Sequence, residues 1–325
     1  GGDPTMRDRS ELVQIVRYAR NLGLNPSLLT NGILCSRDLL IELCENGLSD
    51  VAFHVDLTQK RKGYVTEREL NTIRLEYIER ARGLPLMVMF NTTIFTDNYH
   101  ALSDLVRFFI DQSDVVGLAS FQLQADTGRG EVRGRPDCIS LESARNLISL
   151  GAGSELPWDV ILVGHPKCQS YLPALAVNGK AFGLIDDPNL FAGFLREFSD
   201  VMHDRRQSTP AIAWSYFKVM LLKPRWLLKA LGYVLTRLWF IRGDFWAARG
   251  KVRPITLMVK NFMHADHLDQ ERVDACAFMV MTPDGPMSMC AHNAKRDEHI
   301  LRPLEIETDS GPETFYPLSP NKTLI

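Results

Sequence analysis

With 325 residues, 45% of them apolar, the chain can bury one large core or two ordinary ones. A formal net charge of −2 gives no global reason to expect nucleic acid as a partner. No stretch reaches the roughly 20 apolar residues that span a bilayer, and the first 30 residues carry no leader-like apolar run. Six cysteines, at 35, 44, 138, 168, 276 and 290, are too scattered for a disulfide scaffold, so a reducing cytoplasm is expected.

The first half alternates helix and strand. Leu12, Ile15, Val16 and Ala19 recur at helical spacing between Arg7 and Leu22, and Gly23 closes that helix. PSLLTN (26–31) reads as a strand, 36–46 as a helix ended by Gly47, and VAFHVD (51–56) as the next strand. A helix over 66–82, a strand over 85–91, a helix over 97–112 and a strand over 115–123 continue the series, and the opening GGDPT reads as the end of a further strand. Strands separated by single helices imply parallel pairing with right-handed crossovers. Either a doubly wound sheet or a (β/α) barrel fits, and in both, ligands sit at the carboxyl ends of the strands. Polar residues stand at all of those ends: Gly1, Gly2 and Asp3, then Thr30 and Asn31, His54 and Asp56, Asn91 with Thr92 and Thr93, and Gln122 with Gln124. Each alone could be a helix cap or turn residue, and His54 a hydrogen-bonded core histidine. Five polar strand ends in succession are harder to explain that way.

GGDPTMR, LLTNG, FHVDLTQ and MFNTTI, in this order, resemble strands two to five of the radical S-adenosylmethionine (SAM) core, and FQLQADTGRG resembles its sixth strand and following loop. The resemblance covers roughly residues 1–135 and implies an α/β fold. The expected form is a partial (β/α)6, TIM-like barrel lacking its first strand, followed by an α+β C-terminal domain over 136–325. It implies a [4Fe–4S] cluster held by a CxxxCxxC loop, with SAM chelated to the fourth iron and cleaved by one electron to a 5′-deoxyadenosyl radical. Gly1, Gly2 and Asp3 would receive the methionine ammonium, Asp3 replacing the commoner Glu. Asn31, His54, Asp56, Asn91 and Gln122 would line SAM or substrate. A reductant such as a ferredoxin or flavodoxin is the implied partner. No CxxxCxxC occurs in the 325 residues, so the expectation is that the cluster loop lies upstream of Gly1 and that this fragment alone is inactive. Asp126, Arg129 and Glu131 are candidate substrate contacts, with a solvated loop as the plainer reading of each.

Beyond Pro136 the alternation fades. YLPALAV and KAFGLI read as strands joined by a turn at Asn178-Gly179. Cys276 and Cys290 flank a Pro-Asp-Gly turn that brings separate chain segments together, as a cluster requires; buried ordinary thiols are the alternative. GHPKC (164–168) followed later by Cys276, TPDG and Cys290 resembles the radical SAM branch of tetraether lipid synthases and pterin methylases. That branch implies auxiliary [4Fe–4S] clusters, with Cys168, Cys276 and Cys290 as ligand candidates and His292 as a weaker fourth. A ligand usual before HPxC is replaced here by Val163 and Gly164.

Between these motifs, 211–253 carries four of the five tryptophans and, from Lys218 to Arg253, nine Lys/Arg against Asp244 alone. Leu228, Leu231, Leu235 and Leu238 form one helical stripe, and Arg225, Lys229, Tyr233 and Arg237 another. This composition suits a helix lying on an anionic membrane, peripheral at the inner face; a helix packed on the protein with a solvated basic face is the alternative. Together these features predict a radical SAM transferase that forms carbon–carbon bonds or methylates a lipid or other hydrophobic substrate. Peptide or cofactor maturation is the first alternative, and a non-catalytic barrel-like binding protein the second.

Overall fold

The computed structural model describes residues 2–127, 138–201, 204, 206–308 and 310–316. The expected elements of the first half form in order from the first helix onward. Asp8 caps α1 (Arg9–Asn21) and leads to β1 (Ser27–Thr30); Ser36 caps α2 (Arg37–Glu45), which precedes β2 (Asp50–His54). Then follow α3 (Asn71–Ala81), β3 (Met87–Ile94), α4 (Leu102–Asp111), β4 (Val116–Leu123) and α5 (Leu141–Ala152).

The expected strand end at GGDPT does not form. Residues Pro4–Met6 make a 3-10 turn instead, because Pro4 supplies no strand donor and the Asp3 carboxylate accepts the Thr5 N–H.

β5 (Gln169–Val177) and β6 (Lys180–Gly183) form the expected hairpin, with both turn residues at positive φ, Asn178 at 53° and Gly179 at 72°. The helices α6 (Pro188–Phe198), α7 (Thr209–Leu221), α8 (Pro224–Phe240) and α9 (Arg242–Ala247) come next, then β7 (Arg253–Asn261). The chain closes with α10 (Gln270–Asp274), the hairpin β8 (Met279–Thr282) and β9 (Gly285–Ser288), α11 (Met289–Ala294), α12 (Arg296–Ile300), and the hairpin β10 (Leu304–Thr308) and β11 (Gly311–Phe315).

Seven strands make one sheet in the order β1-β2-β3-β4-β7-β5-β6. β1 to β4 and β7 run parallel, while β5 is antiparallel to β7. The fold is thus mixed α/β around a parallel sheet, and the second half of the chain extends that same sheet. The order from β1 to β4 never reverses, so right-handed crossovers carry α2, α3 and α4 to one face. That face is the core: Leu40, Leu43, Ile78, Val106 and Phe109 pack on Val51, Phe53, Phe90, Phe121 and Leu257. The other face stays half-open. Leu29, Ala52, His54, Met89, Asn91, Gln122, Met258 and Lys260 are half-buried or exposed there, and α9 covers only the far edge, where Phe245 packs with Leu175. A doubly wound sheet would bury both faces.

Candidate functional site

Register aligns the polar strand ends in a row on the half-open face. His54 lies beside Asn91, Asn91 beside Ser120, Thr93 beside Gln122, Gln122 beside Lys260, and Lys260 beside Gln169. The edge therefore offers an imidazole, amides, hydroxyls and an ammonium along one line.

Asp3 is a clamp. Its Oδ1 accepts hydrogen bonds from Thr5 Oγ1 at 2.6 Å and Thr30 Oγ1 at 2.8 Å, and its Oδ2 accepts from the Asn31 N–H at 2.6 Å. Burial raises its pKa, but these donors outweigh burial and the carboxyl stays below its usual range. Its oxygens are spent on the loop after β1, and Gly2 stands exposed next to it. Asn31 accepts from the Ile33 N–H through Oδ1 and from Arg61 through its carbonyl. Gly1, Arg129 and Glu131 lie outside the described residues. Asp126 has its N–H bonded to His264 Nδ1 and its carbonyl to the Ala265 N–H, which ties the loop after β4 to the loop after β7.

His54 and Asp56 act as a pair, with Nε2 2.5 Å from Oδ2. Asp56 is fully buried, yet it also accepts from the Thr93 N–H at 2.7 Å and the Thr58 N–H at 2.9 Å. Burial alone would raise its pKa; the hydrogen bond and charge of His54, with Thr58 and Thr93, hold it at about 2. The imidazole is thus fixed from behind by an ionised carboxylate while its ring faces the open side of the sheet.

Beneath this pair is a buried ion pair that the linear pattern gave no cause to suspect. Arg74 Nη2 meets Glu67 Oε2 at 2.5 Å, both side chains without solvent exposure. Arg74 also donates to the Val55 carbonyl, while Glu67 Oε1 accepts from the Leu57 N–H and Asn98 Nδ2, and Asn98 donates on to the Thr93 carbonyl. The network ties the ends of β2 and β3 to α3, which holds the His54–Asp56 pair in place.

The three cysteine candidates converge on one cavity beside the β7–β5 end of the polar row. Cys168, Cys276 and Cys290 line it with Lys260, Arg272 and Phe278. Gly164 permits the convergence: its φ is +68°, and a Cβ there would sit 2.8 Å from the Ala275 carbonyl oxygen. The β8–β9 hairpin returns the chain so that Cys290, at the start of α11, comes back beside Cys276. Arg272 Nε donates to Cys168 Sγ at 3.3 Å, and Cys276 Sγ donates to the Phe278 carbonyl at 3.1 Å. Burial pushes the Cys290 thiol up and pulls the Lys260 ammonium down to about 8.

Three thiols with two cations beside them suit a sulfur-ligated, anionic metal centre. Even so, among the described residues no three or more His, Cys, Asp or Glu groups stand assembled as a metal site. His292 does not line the cavity; its ring stacks on His299 with centroids 5.6 Å apart. Cys35 and Cys44 are buried, Cys35 at 0% exposure in the main core.

Lys260, Arg272 and the Glu67–Arg74 pair went unnoticed in the sequence. Lys260 had a readable signal: it ends the apolar run ITLMVK, so it stands at a strand's carboxyl end.

No protein-family model matches the chain. Over 154 residues it is 28% identical to a PqqA peptide cyclase of Bradyrhizobium diazoefficiens, covering 46% of this chain and 39% of that protein. A PqqA peptide cyclase of Rhodopseudomonas palustris is 30% identical over 113 residues, 33% of this chain and 28% of that one. An AdoMet-dependent heme synthase of Oleidesulfovibrio alaskensis is 29% identical over 112 residues, again 33% and 28%. The matched stretch spans two-fifths or less of each relative's length. These relatives are radical SAM enzymes, and with the ordered strand-end motifs they support the radical SAM superfamily for this chain.

Proposed function

We propose that this chain belongs to a radical SAM enzyme that modifies a peptide or a cofactor precursor. The observation that carries the reading is the row His54, Asn91, Gln122 and Lys260 along the carboxyl edge of a sheet face left half-open. Likeness to two peptide cyclases and a heme synthase supports peptide or cofactor maturation over the lipid chemistry expected from the sequence. The sheet is taken as a partial (β/α)6 barrel, since a series that never reverses and leaves one face free of helices is how a barrel wall is built.

SAM with a [4Fe–4S] cluster supplies one-electron chemistry that opens unreactive C–H bonds. The residues present fit such a ligand. Asp3 holds the Thr30–Asn31 loop, Gly2 leaves room for close approach, Asp56 orients His54, and Asn91 and Gln122 offer donors and acceptors to a ribose or an amino-acid group. Cys168, Cys276 and Cys290 would hold an auxiliary iron–sulfur group, with Lys260 and Arg272 as positive charge beside it. The exposed apolar residues of α7 and α8 favour a second reading, carbon–carbon bond formation or methylation on a lipid.

The test supplies the anaerobically reconstituted full-length protein with SAM, reductant and deuterated substrates. Deuterium passing from peptide or porphyrin-like precursors into 5′-deoxyadenosine supports the first reading. Transfer from lipid establishes the second, and absence of transfer from all of them overturns both.

A further inference from the structure

α8 sits the other way round from an ordinary surface helix. At about 100° per residue, Trp226, Ala230, Tyr233 and Arg237 share one stripe, and all are half-buried against the protein. Tyr233 donates to Asp186 Oδ1 at 2.7 Å and accepts from the Asp186 N–H; Arg237 donates to the Gly183 carbonyl at 2.6 Å. Trp226 packs edge-on to Phe198 of α6, and Gly193 leaves room for its ring.

The opposite stripe points to solvent. Leu228 is 71% exposed, Leu235 66% and Trp239 70%. Trp214 on α7 and Trp246 on α9 are exposed as well. A soluble protein does not leave such a patch bare without a use for it.

Charge identifies the occupant. Arg225 and Lys229 flank the exposed stripe, and both are exposed. Lys218 lies over the Trp214 ring at 5.8 Å and Arg242 over Trp239 at 4.4 Å, so cations rim the exposed indoles. Asp244, the one acidic residue between Lys218 and Arg253, is turned inward onto Asn178 and Lys180. Among the described residues no helix is long and apolar enough to cross a membrane. An outward leucine stripe, tryptophans at its margin and the exposed cations Arg225, Lys229 and Arg242, with Lys223 at the α7–α8 corner paired to Glu197, match the boundary between acyl chains and anionic headgroups. We propose that α7, α8 and α9 form a docking face that seats this protein flat on an anionic lipid bilayer. The proposal holds whichever substrate the enzyme modifies.

The experiment is vesicle co-sedimentation of the full chain, with tryptophan fluorescence read in parallel, on phosphatidylcholine vesicles with and without about one-third phosphatidylglycerol. The expected result is partitioning to the anionic vesicles, a blue shift on binding, and release by salt. Arg225→Glu with Lys229→Glu should weaken binding by more than about fivefold per position, because each lost cation near the surface removes about that factor and the added carboxylate repels. Leu231→Glu with Leu235→Glu should abolish binding while circular dichroism and the melting temperature stay those of the parent, since both leucines are exposed.

Equal binding to neutral and anionic vesicles, or none to either, overturns the proposal. So does a concentration-dependent dimer that the leucine variant abolishes, or preferential binding to single-stranded nucleic acid. Burial of α8 by the rest of a full-length protein, seen as protection of its amides from exchange without lipid, overturns it too.

Discussion

His54 Nε2 lies 2.5 Å from Oδ2 of Asp56, and the two differ sharply in exposure: the carboxylate is wholly buried while the imidazole side chain is 41% exposed. One partner anchors and the other presents. Asp56 also takes the Thr93 N–H, so the pair spans β2 and β3 and fixes the ring where a ligand on the open face would meet it.

The buried carboxylate predicts a pH dependence. Asp56 is held at about 2, below its unfolded value near 4, so its charge contributes stability that is complete above about pH 4. That contribution fades as pH falls toward 2. Urea unfolding of the parent and of Asp56→Asn should differ by about 2 kcal/mol at pH 7, and the gap should close between pH 4 and pH 2.

The Glu67–Arg74 pair predicts a larger loss. Glu67→Gln leaves the Arg74 guanidinium buried without its paired carboxylate, which costs about 3–5 kcal/mol. Chemical denaturation measures it. Hydrogen exchange should show the Val55–Leu57 and Thr93 amides opening first, because Arg74, Glu67 and Asn98 tie those segments together.

Much of this architecture could be read in the linear pattern, for definite reasons. β1 to β4 are short apolar runs bounded by Gly and polar clusters, and nothing competes with a strand there. GGDPT departs because Pro4 and the Asp3 carboxylate close a turn. β7 was missed: its run ITLMV sits between the basic GKVR and the polar MHADHLD, and its place between β4 and β5 depends on contacts far apart in sequence. Glu67 and Arg74 are seven residues apart and read as solvated helix charges; only folding shows both buried. For α8 the periodicity reveals two stripes but not which one faces the protein. Asp186, some fifty residues upstream of Tyr233 and Arg237, decides that.

Lys260 offers a second titration. Burial lowers its folded pKa to about 8 from about 10.5, so the folded state gives up its proton first and this group opposes folding below pH 8. The penalty fades as pH rises toward 10.5. Lys260→Met should therefore stabilise the protein at pH 7 by up to about 3 kcal/mol and lose that advantage in alkaline buffer. Filling the adjacent cavity with an anionic metal–sulfur group should shrink the effect at pH 7.

The cysteine cavity makes a compositional prediction. After anaerobic reconstitution with iron and sulfide, Cys168→Ala, Cys276→Ala and Cys290→Ala should each lose most of the iron that this chain holds, with the charge-transfer absorption of iron–thiolate bonds falling in step. Cys35→Ala, deep in the core, should leave iron content unchanged. Equal iron in all four variants would remove the auxiliary group from the account.

On the proposed function, the carboxyl edge of this sheet grips SAM for reductive cleavage. The most direct measurement is the rate of 5′-deoxyadenosine formation by the anaerobically reconstituted full-length protein, compared with His54→Ala at matched iron content. Steady formation is expected in the parent and a loss of about tenfold or more in the variant, the effect of removing one positioning hydrogen bond of about 1.4 kcal/mol or more. No 5′-deoxyadenosine from the iron-replete parent, or equal rates in the two, would contradict it.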